Sequence, residues 1–399
     1  MDGVEGTGLT RRALLAGVGS TAVVAGLGAC GARDTPKPTA SPGPSSAGPG
    51  PSAGTPEAVL RRKIARMLVV GFRGARVGPD DWITHAIGDQ GVGGVILFDR
   101  DQLTGGTRNI TSPEQVTALV RALRGAAPGG RLIVSIDQEG GQVARLVPAN
   151  GFPATRSQAQ IGALDSPAAT KAWAEGMART LVGIGVNFDF TPVVDLAVNP
   201  TNPAIALLDR SFSANADVVV ACATETIAAY RAAGVRTSIK HFPGFGSATG
   251  NTDFETVDVT GTWTRAELEP FRRLIAARTV DTVMVTHLLN RQLDPQRPTS
   301  LSRAVVTDLL RGELGWDGVV VTDDMQAVAL TSRYGRDEAL GLALDAGVDQ
   351  LVYCNQAVYD PAVVPAIVDA VLGMVRAGRI SEARLDRSVA RIDALWPPG

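Results

Sequence analysis

The sequence predicts a single (β/α)8 barrel of the α/β class, and three observations lead there. Eight short apolar runs recur between residues 56 and 399, longer amphipathic stretches separate them, and polar or charged residues follow nearly every run. Runs that are apolar throughout mean strands buried on both faces, as in a parallel sheet. Eight successive strand–helix units suggest closure into a barrel.

The runs are residues 67–72, 94–98, 132–136, 186–194, 236–240, 282–286, 318–322 and 349–353. Helical periodicity occupies 115–123, 168–182, 214–232, 265–277, 303–310 and 336–344 between them. Two further helical stretches, 361–377 and 382–395, are expected to close the outer ring. Neither a second domain nor an internal repeat is visible.

Asp99 and Arg100 follow the second run, and Asp137-Gln138-Glu139-Gly140-Gly141 the third. Asp189 and Asp195 fall near the fourth. Lys240-His241, His287, Asp323-Asp324 and Cys354-Asn355 end the last four. One such residue is as readily a helix cap or a rim ion pair. Seven groups together describe a polar mouth at the C-terminal ends of the strands, where barrels carry their chemistry.

Residues 1–55 read differently. Arg11 and Arg12 precede a small-residue, uncharged stretch ending Leu27-Gly28-Ala29-Cys30. A basic segment, a short apolar run and small residues before a cleavage point describe a signal peptide over residues 1–30. The stretch is short and glycine-rich for a spanning helix, which needs ~20 apolar residues. Leu27-Gly28-Ala29-Cys30 resembles a bacterial lipobox, with Cys30 as the lipidated residue, and Thr10-Arg11-Arg12-Ala13-Leu14-Leu15 resembles a twin-arginine export signal. Residues 31–55 are Pro, Ser, Gly, Ala and Thr with little else, the composition of a linker that buries no apolar surface. The expected location is the outer face of the cell membrane, with the barrel over residues 56–399 held there by lipid.

Of the 399 residues, 45% are hydrophobic and 20% charged, with a net charge of −2. That balance excludes a basic nucleic-acid binder. Three cysteines (Cys30, Cys222, Cys354) make no disulfide framework, and with only three histidines (His85, His241, His287) no zinc ligand set is apparent.

The ordered segments Asp137-Gln138-Glu139-Gly140-Gly141-Gln142-Val143-Ala144-Arg145-Leu146, Gly185-Val186-Asn187-Phe188-Asp189-Phe190-Thr191-Pro192-Val193-Val194-Asp195, Asp209-Arg210-Ser211-Phe212, Lys240-His241-Phe242-Pro243-Gly244, Val321-Thr322-Asp323-Asp324-Met325 and Ala346-Gly347-Val348-Asp349 span nearly the whole folded region. Together they resemble glycoside hydrolase family 3, in particular its single-domain β-N-acetylglucosaminidases (β-N-acetylhexosaminidases). The resemblance implies a retaining two-step hydrolysis through a covalent glycosyl-enzyme. It makes Asp323 the nucleophile and gives Asp137, Arg145, Arg210, Lys240 and His241 the task of holding the sugar. Lys240 and Arg210 are expected to keep Asp323 ionised. The implied partner is a carbohydrate, terminal β-linked N-acetylglucosamine on peptidoglycan fragments. No metal or organic cofactor is implied, and a monomer is expected.

One loop departs from the family. After Lys-His-Phe-Pro-Gly the family continues with His-Gly and later an Asp-Ser-His or Asp-Thr-His whose last residue is the acid/base. Here the loop runs from Phe245 through Asp253 to Glu255. Asp253 keeps the family's Asp, the partner of the acid/base histidine, while Phe245 takes the place of the first histidine and Glu255 that of the catalytic one. Glu255 as acid/base, with Asp253 opposing its ionisation, is the leading reading. A slow hydrolase without this loop's help and a non-catalytic glycan binder stay open beside it.

Overall fold

The computed structural model describes residues 54–396. The expected signal peptide, Cys30 and residues 31–53 of the expected linker lie outside the described residues.

Eight parallel strands close into a barrel in sequence order. They are β1 (Leu68–Gly71), β2 (Gly94–Ile96), β3 (Ile133–Ile136), β4 (Phe188–Asp189), β5 (Arg236–Phe242), β6 (Thr282–Val285), β7 (Val319–Asp324) and β8 (Gln350–Tyr353). Closure comes from β1 pairing with β8, Val69 opposite Val352. Valine, isoleucine and leucine dominate the strands and are almost wholly excluded from water. β-branched side chains suit this doubly covered surface.

The principal helices are α1 (Pro56–Arg66), α2 (Pro113–Ala126), α3 (Pro167–Gly183), α4 (Ala216–Ala232), α5 (Glu269–Ala276), α6 (Ala304–Glu313), α7 (Arg336–Ala346), α8 (Val363–Arg376) and α9 (Glu382–Ala394). Their starts are written locally. Thr55, Ser112, Ser166, Asn215 and Ser381 each accept a hydrogen bond from a first-turn amide of α1, α2, α3, α4 and α9. Proline enters α1, α2 and α3 at the first turn, where its missing N–H costs nothing.

Three expectations are corrected. The fourth run was expected to be strand over residues 186–194, yet its regular ladder is only Phe188–Asp189. Pro192 has no amide to donate, and beyond it the chain rejoins the sheet only as an isolated bridge between Val193 and Lys240. In β5 and β7 the ladder instead runs past the apolar run, so His241, Asp323 and Asp324 lie within strands. Third, α9 does not join the outer ring; it runs beneath the barrel. Arg66, which leads into β1, pairs with Asp393 at 2.9 Å. Arg236, at the start of β5, donates to the Leu395 carbonyl at 3.0 Å, and Arg131, just before β3, to that of Trp396 at 2.7 Å. Leu385, Ser388 and Ile392 form its buried face. The barrel is thus closed at the N-terminal ends of its strands and open at the other end.

Candidate active site

The open end holds a cavity of about 420 Å³. That falls within the ~300–1,000 Å³ of small-molecule sites. Asp137, Glu139, Arg145, Arg210, Lys240, His241, Asp253, Asp323 and Asp324 all line it.

Four charged groups interlock on one side. The Lys240 ammonium lies 2.9 Å from Asp137 and 2.7 Å from Glu139. Arg210 donates from Nε and Nη2 to the two Glu139 oxygens at 2.8 and 2.7 Å, a bidentate pair. Arg145 approaches Asp137 at 3.6 Å and lies over the Phe98 ring. The side chains of Lys240 and Glu139 are 2% and 1% exposed, so neither charge can lean on water. Burial alone would raise Glu139, but Arg210 and Lys240 outweigh it and hold the carboxyl well below its ordinary range. Burial raises Asp137 too, and Lys240 and Arg145 likewise reverse it. Burial lowers Lys240; Asp137 and Glu139 overcome that and hold it raised, as an ammonium. The group is a rigid set of donors and acceptors suited to sugar hydroxyls.

His241 follows Lys240 directly, and both reach the mouth because the β5–β6 ladder loses its register between Ile239 and Phe242. Asp195 holds the imidazole, Nδ1 to carboxylate at 2.7 Å, and also accepts the amides of His241 and Phe245. The free Nε2 meets Arg210 Nη2 at 3.2 Å. Gln158 steers Arg210 from behind, its amide donating to the carbonyls of Arg210 and Val193.

The loop after β5 depends on two glycines. Gly244 has φ +116°, and a Cβ there would meet Glu267 at 2.6 Å; at Gly246 it would lie 1.8 Å from the Leu196 carbonyl. Only glycine lets the chain run this close to its neighbours. Glu267, buried behind, accepts the Ser247 amide at 3.2 Å. Farther on, the carbonyls of Thr252 and Asp253 accept the amides of Ala329 and Val328. The loop is thereby fastened across the chain that follows β7.

This fastening decides which acid enters the mouth. Asp253 lines the cavity; Glu255 does not, and its carboxylate turns back against Gly250. The expectation that Glu255 stands in the mouth is not met in this structure: the loop acid lining the cavity is Asp253. Water reaches Asp253 from the open side, yet desolvation by the cavity wall, followed by the Asp323 charge, pushes it up to about 6. A second correction concerns Asp323. Lys240 and Arg210 spend their contacts on Asp137 and Glu139, and among the described residues the one hydrogen bond to the Asp323 carboxylate comes from the Asp324 amide at 2.8 Å. Asp324 accepts the amides of Gln326 and Cys354, and burial pushes it up to about 7. Asp253 and Asp323 have no ion-pair partner among the described residues.

His85 is far from this chemistry, paired with Asp89 on an exposed helix end. His287 lies buried between the Ser300 hydroxyl and the Asp324 carbonyl. Sequence reasoning gave no role to several positioning groups. Asp195 and Glu139 stand in the motifs quoted above, yet nothing local in the sequence marks their tasks. Arg108 left no signal: fully buried, it ties the Phe72, Cys354 and Asn355 carbonyls to Asp101 and so joins the chain after β1 and β8 to the loop after β2. Asp189 sits under the mouth between the Gln138 amide and the Tyr230 hydroxyl, pushed by burial up to about 8.

Comparison with known proteins agrees with this geometry. Residues 59–395 match the model of the glycosyl hydrolase family 3 N terminal domain. A β-hexosaminidase of Stenotrophomonas maltophilia (strain R551-3) is 34% identical over 330 residues, covering 80% of this chain and 90% of that protein. The structure of a β-N-acetylhexosaminidase from Beutenbergia cavernae DSM 12333 aligns with TM-score 0.74 at 32% identity, over 84% of this chain and 97% of that one. A family 3 β-N-acetylglucosaminidase from Paenibacillus sp. str. FPU-7 aligns with TM-score 0.76 at 36% identity over 84% of this chain, which spans 62% of that longer protein. A closed eight-stranded barrel, a carboxylate-lined mouth and similarity of this extent lead to one conclusion: the chain belongs to glycosyl hydrolase family 3 and is a glycoside hydrolase.

Proposed function

We propose that this glycoside hydrolase is a retaining β-N-acetylhexosaminidase that removes terminal β-linked N-acetylglucosamine from peptidoglycan-derived glycans. The supporting observation is the pair formed by Asp253 and Asp323, two carboxyl groups that line one cavity, neither with an ion-pair partner among the described residues, the Asp323 charge helping to raise Asp253. In the first step an Asp323 carboxylate oxygen bonds to the anomeric carbon. The bond from that carbon to the leaving oxygen breaks, and Asp253 gives its proton to the leaving oxygen. In the second step the Asp253 carboxylate takes a proton from water, the water oxygen bonds to the anomeric carbon, and the bond to Asp323 breaks. Two inversions return the original configuration.

Each part has a physical basis. An acid must hold its proton near working pH, and desolvation beside a second carboxylate raises Asp253 toward that range. Asp137, Arg145, Arg210, Lys240 and His241 hold the sugar by charged hydrogen bonds that a site of fixed geometry makes without reorganising. The peptidoglycan substrate follows from the proposed location at the outer face of the cell membrane, with Cys30 as the lipid-bearing residue. Replacing Cys30 by Ala should move the protein from the membrane to the soluble fraction; unchanged membrane association would remove the anchor.

The test of function is hydrolysis of a chromogenic β-N-acetylglucosaminide and of a β-1,4-linked muropeptide, with the anomer of the first-formed product read by NMR. Release of the β-anomer, lost in Asp323→Ala, is the expected outcome. An α-anomer first product would refute the retaining mechanism, and turnover of the chromogenic substrate without the muropeptide would refute the proposed substrate.

A further inference from the structure

A second cavity, about 320 Å³, lies at the closed end and lower flank of the barrel, between α6, α7 and α9. Arg303, Arg311, Arg379, Arg384, Arg387 and Arg391 line it, and Asp345 is its one acidic side chain. The whole chain carries a net charge of −2, so this basic concentration is local and runs against the average.

Part of the cluster is structural. Asp349, fully buried, takes Arg311 and Arg391 directly, with Arg384 at 3.8 Å. Arg391 also pairs with Asp317 at 3.1 Å, and Arg379 with Asp345 at 3.4 Å. Six arginines then face three aspartates, which leaves an excess of positive charge. Arg303 and Arg387 are exposed at the rim and have neither an ion pair nor a side-chain hydrogen bond among the described residues. Deeper in, the Nε of Arg311 is buried with no acceptor. Burial lowers Arg384; Asp349 pulls the other way, and the neighbours Arg311, Arg391 and Arg387 lower it further. The cluster repels itself, and an anion seated in the cleft would relieve it.

The shape narrows the ligand. Arg384, Arg387 and Arg391 lie at i, i+3 and i+7 on one face of α9, a row about 10 Å long at ~1.5 Å per residue. Ser381 and the N-terminal end of this 13-residue helix stand at one end of the row. Guanidinium groups present planar forks of donors that match the oxygens of a tetrahedral phosphate. In the row Arg384 also donates to the Leu344 and Val348 carbonyls and the Ser388 hydroxyl, and Arg391 to Asp317 and Asp349, so the forks without a partner are Arg387 on α9 and Arg303 at the start of α6. Two open forks on separate helices suit a ligand with more than one linked phosphate better than a single one.

We propose that this arginine-lined cleft is a binding site for a chain of linked phosphate groups, separate from the mouth and at the opposite end of the barrel. An anion held there leaves the catalytic cavity open. The same enzyme can therefore be held by a phosphate-bearing polymer while it turns over a sugar.

The test uses the full chain and sodium tripolyphosphate, followed by titration calorimetry. One saturable site is expected, with inorganic monophosphate at least tenfold weaker and with affinity falling as NaCl rises from about 50 to about 300 mM. Losing one charge-assisted partner is worth about tenfold. The double variant Arg303→Ala/Arg387→Ala should therefore weaken tripolyphosphate by about tenfold or more. Its thermal midpoint and its hydrolysis of a chromogenic glycoside should match the unaltered enzyme, because neither side chain has a partner to lose. Full tripolyphosphate affinity in the double variant would place binding elsewhere and overturn the site. Citrate binding as tightly as tripolyphosphate, through the same arginines, would overturn the phosphate chemistry. Capture of phosphatidylglycerol vesicles by these arginines, with no binding of tripolyphosphate, would reassign the face to a lipid surface.

Discussion

Two aspartates at opposite ends of one barrel show how the molecule separates stability from chemistry. Asp349, just before β8 at the closed end, has no solvent exposure. Its oxygens accept from Arg311, Arg391, the Ser388 hydroxyl and the Val320 amide. Asp323, near the end of β7 at the open end, has one hydrogen bond, from its neighbour's amide, and faces the cavity. The first carboxylate is fully occupied and can do nothing but hold the terminal helix beneath the barrel. The second is left with lone pairs unused, which is the condition for a nucleophile. Satisfied charge is structural, and open charge is available for reaction.

The strongest way to break this comparison is to neutralise each aspartate in turn. Asp323→Asn should cut turnover by at least ~10³-fold, the scale of losing a covalent nucleophile, while leaving the thermal midpoint unchanged or slightly raised. Asp349→Asn should do the reverse. It strips the counter-charge from a buried cluster, a loss of about 3–5 kcal/mol, and lowers the midpoint by several degrees with kcat per folded molecule preserved. Calorimetry beside steady-state kinetics checks both, and a stability loss in the first variant equal to that in the second would dissolve the distinction.

Next in size is the choice between the two loop acids. Asp253→Ala should slow glycosides with poor leaving groups by about 10²–10⁴-fold, and activated aryl glycosides far less. Glu255→Ala should stay within about twofold on both, since its side chain lies outside the cavity. The opposite ranking would return the role to Glu255.

A smaller effect is expected in the pH profile. In the proposed mechanism Asp253 gives its proton in the first step, and it is raised to about 6. The value of kcat/KM should fall as pH rises through about 6, well above the usual aspartate range near ~4. A limb near pH 4 would mean that neither desolvation nor Asp323 acts on it.

The smallest concerns Asp189, under the mouth. Burial raises it to about 8 in the fold, from ~4 in an unfolded chain. Between those values the folded protein binds the extra proton. The stability this group contributes is therefore complete below pH ~4 and lost as pH rises through about 8. One proton is worth at most about 1.4 kcal/mol per pH unit. The midpoint of the wild-type protein should decline between pH 6 and 8, and Asp189→Asn, which cannot ionise, should flatten that decline. Parallel slopes would show that Asp189 is not the group responsible.

Much of this architecture is legible in the sequence by itself. The eight runs, the helix caps and the residues at strand ends are local features, because burial on both faces and hydrogen bonding of a first helical turn depend on near neighbours in the chain. Asp137, Arg210, Lys240, His241 and Asp323 could be gathered at one mouth because a parallel barrel brings all strand ends to the same side. Three matters were decided only by tertiary structure. Residues 245–255 have no periodicity, so which loop acid lines the cavity depends on the approach of Gly246 to the Leu196 carbonyl and on the bonds to Val328 and Ala329. The pairing of Lys240 with Asp137 and Glu139, and not with Asp323, depends on directions across the barrel that no run of sequence encodes. The seat of α9 beneath the strands arises from contacts with Arg66, Arg131, Arg236 and Asp349, all more than thirty residues away along the chain. Its amphipathic pattern marks a face to be buried, and that face would fit the outer ring or the underside of the barrel equally well.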